Sequence, residues 1–158
     1  MGERRAVADR EVSDGAKEGA PAPRPPQRVI MTWAGEQEFD AGKPGVPGLH
    51  IDSHGKKGPG PMEVLLAAIA TCASTDVVEI LAKRRTPVES LEVETIGTRV
   101  EATPRRLSHV LLTFRIRGAG IDRVHAERAV ELSVNKYCSV RSSLDPAIAV
   151  EWRLEILP

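Results

Sequence analysis

The segment that follows Pro61 contains no further glycine or proline for more than 20 residues and is rich in alanine and leucine. Such a run predicts one long helix, because both residues favour helix and no breaker interrupts them. Pro61 suits the first turn, Glu63 complements the positive end of the helix dipole, and the basic run at 83–85 complements the negative end. Residues 64–73 are apolar nearly all round apart from Thr71, which predicts a central core helix buried on most sides.

Segments that alternate apolar and polar residues lie on both sides of this helix. Three short strand-like pieces begin at Arg28, and after Pro87 come two longer ones, LEVETIGTRVEA and LSHVLLTFRIRGAG. Asp122 can cap a second helix that runs to about Lys136, and a last alternating strand, AIAVEWRLEIL, follows it. The order β-β-β-α-β-β-α-β predicts one α+β domain over residues 28–158, with a hairpin after the long helix.

The N-terminal residues 1–27 differ in composition from this domain. They contain charged residues, glycine, alanine and the run PAPRPP, with almost no large apolar side chains. A segment of this kind cannot bury enough apolar surface to offset the entropy lost on folding. We therefore predict a disordered tail.

The charge balance and the distribution of apolar residues restrict the partners. The chain has 22 basic and 22 acidic residues and only 3% aromatic residues, which argues against a nucleic-acid partner. No run of about 18 uncharged apolar residues occurs, and the N-terminus lacks the apolar stretch of a secretory signal. We expect a cytoplasmic protein that binds neither nucleic acid nor a membrane.

The chain has two cysteines, Cys72 in the long helix and Cys138 at the end of the second helix. In a reducing compartment such cysteines seldom form a structural disulfide, so they are either buried small hydrophobes or reactive thiols. At these positions the two side chains could meet across a core. One thiolate could then attack a peroxide, and the other thiol could resolve the sulfenic acid as a disulfide. The spacing alone leaves both interpretations open.

Two motifs around these cysteines resemble those of the OsmC and organic-hydroperoxide-resistance superfamily. GPGPMEVLLAAIATC is similar to the pattern that leads a helix to the first cysteine, and AERAVELSVNKYCSV is similar to the second signature. The resemblance covers about residues 28–158. It implies an OsmC-like fold, an intertwined homodimer with active sites at the subunit interface, and reduction of organic hydroperoxides. It also implies that Cys72 is the peroxidatic cysteine, that Cys138 is the resolving one, and that an external lipoyl-type dithiol is the reductant, with no cofactor bound.

The sequence departs from the peroxidase branches of that superfamily at two positions. Their glutamate directly after the helix-starting proline is Met62 here, and Glu63 comes one residue later. At about 100° per residue, Glu63 points roughly opposite Cys72 on a straight helix, whereas Met62 points closer to the thiol. The arginine of their early strands has no counterpart, since residues 33–53 contain none. Glu63 is therefore only a secondary catalytic candidate.

Two other functions compete with hydroperoxide reduction. In the first, a pocket at the dimer interface, lined by Cys72, Met62 and Tyr137, binds a small hydrophobic or thiol-bearing ligand without turnover. In the second, both cysteines are inert core residues of a stress-related protein.

The sequence indicates no metal site. The histidines and cysteines lack paired ligand spacing. We interpret the alternating His50, Asp52 and His54 as exposed loop polarity.

Overall fold

The computed structural model describes residues 23–158. Most of the predicted disordered tail lies outside these residues, and the described part of it, 23–27, has no regular secondary structure. The predicted order of strands and helices is confirmed. The elements are β1 (Ile30–Gly35), β2 (Glu38–Gly42), β3 (Leu49–Asp52), α1 (Pro61–Lys83), β4 (Ser90–Arg99), β5 (Leu107–Arg117), α2 (Arg123–Leu132), a π-helical turn (Ser133–Tyr137), α3 (Ser139–Ser142) and β6 (Ala149–Ile156).

The described strands form two separate three-stranded sheets. The N-terminal sheet is an antiparallel meander in the order β1-β2-β3, and the C-terminal sheet has the order β4-β5-β6. β4 and β5 pair antiparallel as the predicted hairpin, whereas β6 pairs parallel to β5. A parallel partner requires a crossover connection, which α2 and the elements after it supply.

The core lies between α1, α2 and the inner face of the C-terminal sheet. Along α1 the side chains of Ile69, Ala73, Val77 and Leu81 have no solvent exposure. They repeat every four residues and therefore share one face of the helix. Alternate residues of β5 complete the core from the sheet side, and they are Val110, Leu112, Phe114 and Ile116, all with no solvent exposure.

Contacts among residues 23–158 bury only this one face of α1. Ala67, Thr71, Thr75 and Val78 lie on another side of the helix and are exposed. The predicted burial on most sides is therefore not met by intrachain contacts. It stays a prediction that depends on a partner subunit.

By length and composition alone, Pro61–Lys83 could span a membrane, with a mean hydropathy of 1.9 over its most apolar window. The buried face described above instead packs against the sheet and α2. The core helix of a soluble domain meets the same length and composition criteria.

The N-terminal sheet has a polar face and an apolar face. On its apolar face Trp33 is 65% exposed, Met31 is 59% exposed, and Leu49 is also exposed. β3 contacts the N-terminal part of α1, whereas β1 and β2 make their main contacts within the sheet. Within residues 23–158, much of this apolar face therefore has no cover.

Truncation of Phe114 tests the core. We expect Phe114→Ala to lower the free energy of unfolding by about 3–5 kcal/mol, because the side chain is fully buried on the central strand of its sheet. Val124→Ala is the control, since Val124 is 72% exposed and its truncation should change stability by less than about 0.5 kcal/mol. Urea titration followed by circular dichroism measures both values. Equal losses for the two variants would contradict this description of the core.

Candidate active site

Cys72 lies near the middle of α1, one residue before the buried Ala73, and its side chain is partly exposed. This position places the thiol at the edge of the buried face of the helix. Its Sγ lies 3.7 Å from the Ser139 hydroxyl of α3. The short helix α3 therefore packs directly over the thiol.

Cys138 is positioned by a change in helical winding. We predicted one helix to about Lys136, but α2 ends at Leu132 and the chain continues as a π-helical turn. The Cys138 N–H donates to the Ser133 carbonyl at 2.9 Å, a bond between residues five apart that closes this wider turn. Cys138 then caps α3, and its Sγ accepts the Arg141 N–H at 3.3 Å.

The structure brings the two cysteines, 66 residues apart in sequence, together at the contact between α1 and α3, where each thiol shifts the pKa of the other. Cys138 is only 1% exposed, and its Sγ also faces the Ile69 carbonyl of α1 at 4.0 Å. The two thiols thus differ in access to solvent. Their roles as peroxidatic and resolving cysteine stay predictions.

The environment shifts the pKa values of the two thiols in opposite directions. Burial raises the pKa of Cys72, but the Val140 N–H, the Cys138 thiol and the hydroxyl and N–H of Ser139 together hold that pKa below the ordinary value. Burial and the neighbouring Cys72 raise the pKa of Cys138, against the opposing effect of the Arg141 N–H. Cys72 is therefore the thiol that ionises first.

Glu63, the secondary catalytic candidate, lies at the start of α1. Its carboxylate accepts the Gly60 N–H at 2.7 Å and so caps the helix. At about 1.5 Å per residue, nine helical residues separate it from Cys72 by about 13 Å along the axis. The structure does not bring Glu63 to the thiols.

The two predicted pocket-lining residues have different surroundings. Met62 packs against the core and lines an open cavity of about 510 Å³ between the start of α1 and the C-terminal sheet, and neither cysteine lines this cavity. Tyr137 is half-exposed, and the Lys136 ammonium lies 5.5 Å from its ring centroid. The pocket predicted to hold Cys72, Met62 and Tyr137 at a dimer interface stays a prediction.

Asp52 is a correction to the sequence interpretation. It is buried, and its carboxylate accepts the N–H groups of His54, Lys56 and Lys57 at 2.8–3.0 Å. It therefore organises the loop between β3 and α1 instead of adding exposed loop polarity.

His50 pairs with the Asp40 carboxylate at 2.8 Å. Among residues 23–158 no group of three metal-binding side chains is present.

The sequence interpretation missed Ser139 and the backbone donors of α3. A helix of four residues has no periodicity to detect. The available signal was the dipeptide Cys138-Ser139 itself, because small polar residues favour helix starts.

Comparisons with known proteins place this chain in a family. The OsmC-like protein family matches residues 53–153, a range that contains both cysteines. Protein YhfA of Escherichia coli strain K12 is 39% identical over 103 residues, which cover 65% of this chain and 77% of YhfA.

Two solved structures share the fold. An OsmC-like protein from Mycoplasma pneumoniae has a TM-score of 0.72 at 14% identity, covering 85% of this chain and 99% of that one. The organic hydroperoxide resistance protein OhrB of Bacillus subtilis has a TM-score of 0.56 at 15% identity, covering 82% of this chain and 98% of that one. With the two adjacent thiols and the match over 53–153, the chain belongs to the OsmC-like protein family.

Proposed function

We propose that this protein is a redox protein of the stress response that reduces organic hydroperoxides with Cys72 and Cys138. The observation that carries the proposal is the pairing of two unlike thiols. One is partly exposed with a lowered pKa, and the other is buried with a raised pKa. A two-cysteine peroxidase needs two thiols of different reactivity. One must be a thiolate that attacks the peroxide, and the other must react only after the first has become a sulfenic acid.

In the first step the Cys72 thiolate attacks the distal oxygen of the hydroperoxide. The O–O bond breaks, Cys72 is oxidised to a sulfenic acid, and the alkoxide takes a proton from water and leaves as the alcohol. The Cys138 thiol then attacks the Cys72 sulfur. The disulfide forms and the sulfenic oxygen leaves as water.

Neutral donors supply the activation of Cys72 within the chain. The groups that lower its pKa are backbone N–H groups, a hydroxyl and a thiol, all from the segment 138–140. These donors stabilise the thiolate without the arginine of the peroxidase branches. The shared fold of OhrB, a protein named for organic hydroperoxide resistance, is consistent with this proposal.

An external dithiol of the lipoyl type is the proposed reductant. It would convert the disulfide back to two thiols and leave as its own disulfide, so the cycle needs no bound cofactor. The cytoplasm is the proposed location, because its thiol pools keep such a pair reduced.

We also propose that the protein acts as a homodimer. The exposed residues of the N-terminal sheet, Trp33 and Met31 among them, and the uncovered side of α1 at Ala67 and Thr71 provide apolar and small-residue surfaces. Contiguous exposed apolar surface typically marks an interaction site. A second copy would cover both surfaces.

The cavity beside Met62 supports a second candidate function. Leu66 and Leu107 give it apolar walls, and Arg99 and Glu63 add charge. A cavity of about 510 Å³ has the size of small-molecule sites. In this alternative the protein binds a small hydrophobic ligand, and the thiols do not turn over.

The mass of the protein after one equivalent of cumene hydroperoxide tests the proposed reaction. We expect reduced wild type to lose two hydrogens rapidly as the disulfide forms. Cys138→Ser should instead gain one oxygen, which dimedone traps, because no thiol resolves the sulfenic acid. Cys72→Ser is the matched control and should keep its mass, since the buried Cys138 has a raised pKa.

A wild type that stays reduced while an active peroxidase in the same buffer is oxidised would refute hydroperoxide reduction. Binding of a fluorescent fatty acid to that inert protein, weakened in Leu66→Glu, would then support the ligand-binding alternative.

The pH dependence of alkylation tests the neutral activation. Cys72 should react with iodoacetamide at pH values below the usual thiol range, because its lowered pKa leaves thiolate present there. Ser139→Ala removes a donor to the thiolate, so the midpoint of the rate profile should move to higher pH. Ser142→Ala, on the same helix and exposed, is the matched control and should leave the profile unchanged. Identical profiles for the Ser139 variant and wild type would exclude the hydroxyl from this role.

Light scattering after gel filtration tests the dimer. The expected mass is twice the chain mass of 17.1 kDa. Trp33→Lys should shift the protein toward monomer, because it places a charge on the surface proposed to be covered. Val124→Lys makes the same change at an exposed apolar residue of α2 and should remain dimeric. A monomeric wild type, or dissociation only in the Val124 variant, would reject this interface.

A further inference from the structure

The two sulfurs of the Cys72–Cys138 pair are unequally accessible to a reductant. Cys138 is 1% exposed and lies under the start of α3, with the Arg141 N–H at 3.3 Å and the Ile69 carbonyl at 4.0 Å from its Sγ. Cys72 is partly exposed at the edge of the buried face of α1. A thiolate from solvent therefore reaches one sulfur of the pair far more easily than the other.

We infer that a reducing thiol opens the Cys72–Cys138 disulfide by attacking Sγ of Cys72, so that the reductant is carried as a mixed disulfide on Cys72. The inference rests on the two-cysteine cycle proposed above and specifies the atom at which the reductant enters. Thiol–disulfide exchange proceeds through attack on one sulfur, and access decides which sulfur is attacked. Attack on Cys138 would require the incoming thiolate to pass through the packed interface between α1 and α3.

The step conserves atoms and electrons. The incoming thiolate forms a bond to the Cys72 sulfur, the Cys72–Cys138 bond breaks, and Cys138 departs as a thiolate that takes a proton from solvent. The second thiol of a dithiol then attacks the reductant's own sulfur in the mixed disulfide. Cys72 leaves as thiolate, and the reductant leaves as a cyclic disulfide.

In the first step, the accessibility of the sulfurs favours attack on Cys72, whereas the pKa values of the leaving thiols favour attack on Cys138. A thiol of raised pKa leaves slowly, which disfavours the departure of Cys138. Access outweighs this effect because a sulfur that the nucleophile cannot reach is not attacked at all. In the second step the preference reverses, since the lowered pKa of Cys72 makes it the better leaving group.

This order of events affects monothiols and dithiols differently. After a monothiol attacks, Cys138 lies beside the mixed disulfide and can displace the monothiol again. With a dithiol this reverse reaction is outcompeted, because the second thiol of the reductant is tethered near the mixed disulfide and therefore attacks it at high effective concentration. This order of events is compatible with the lipoyl-type dithiol proposed above.

Peptide mapping of the trapped mixed disulfide tests the inference. Wild type is first oxidised with diamide, so that disulfide formation does not depend on any peroxidase activity, and is then treated briefly with 2-mercaptoethanol. Acid quenching and N-ethylmaleimide block the freed thiol. Trypsin separates the two cysteines, since Cys72 lies in the peptide 58–83 and Cys138 lies in the peptide 137–141.

We expect mercaptoethanol on Cys72 and N-ethylmaleimide on Cys138, with roughly a tenfold or larger excess over the reverse pattern. The same reaction in concentrated urea is the control and should label both cysteines comparably, because shielding by the fold is lost. Adducts on Cys138 in the native protein, or an even distribution, would overturn this inference while leaving the two-cysteine cycle intact. Failure of diamide to form the disulfide would reject both.

Discussion

The fully buried stripe of α1, from Ile69 to Leu81, packs against the C-terminal sheet and α2, and this contact fixes the rest of the site. Cys72 directly precedes Ala73 of that stripe, so its thiol lies at the boundary between core and solvent. A thiol deeper in the core would be inaccessible, and one on the opposite side would lack the donors of α3. The helix contact thus determines both the access and the ionisation of Cys72.

The position of Cys138 depends on the change from α-helical to π-helical winding after α2. The π-helical turn after α2 accommodates one more residue per hydrogen-bonded ring than an α-helix does. The chain then begins α3 directly over Cys72, with the Ser139 hydroxyl and N–H and the Val140 N–H facing the thiol. Neutral groups fixed by this turn therefore lower the pKa of Cys72.

The sequence predicted the elements better than it predicted their surroundings. The stretch without glycine and proline located α1 closely, and alternation located all six described strands, because both signals arise from local backbone preferences. The same apolar pattern could not say which face of α1 packs against the C-terminal sheet and α2 and which face is exposed within residues 23–158. The positions of Cys72 and Cys138 allowed their pairing without requiring it, and Ser139 and the burial of Asp52 depend on contacts between segments that have no periodic signal.

Hydrogen bonds of Asp52 order the loop between β3 and α1. The Asp52 carboxylate holds three backbone N–H groups of that loop, and the Asp52 N–H donates to the Pro59 carbonyl at 3.1 Å. These hydrogen bonds order the loop that joins the N-terminal sheet to the start of α1. In general, a segment ordered in this way loses less conformational entropy on entering an interface than a hinged segment does, so more of the contact energy remains as affinity.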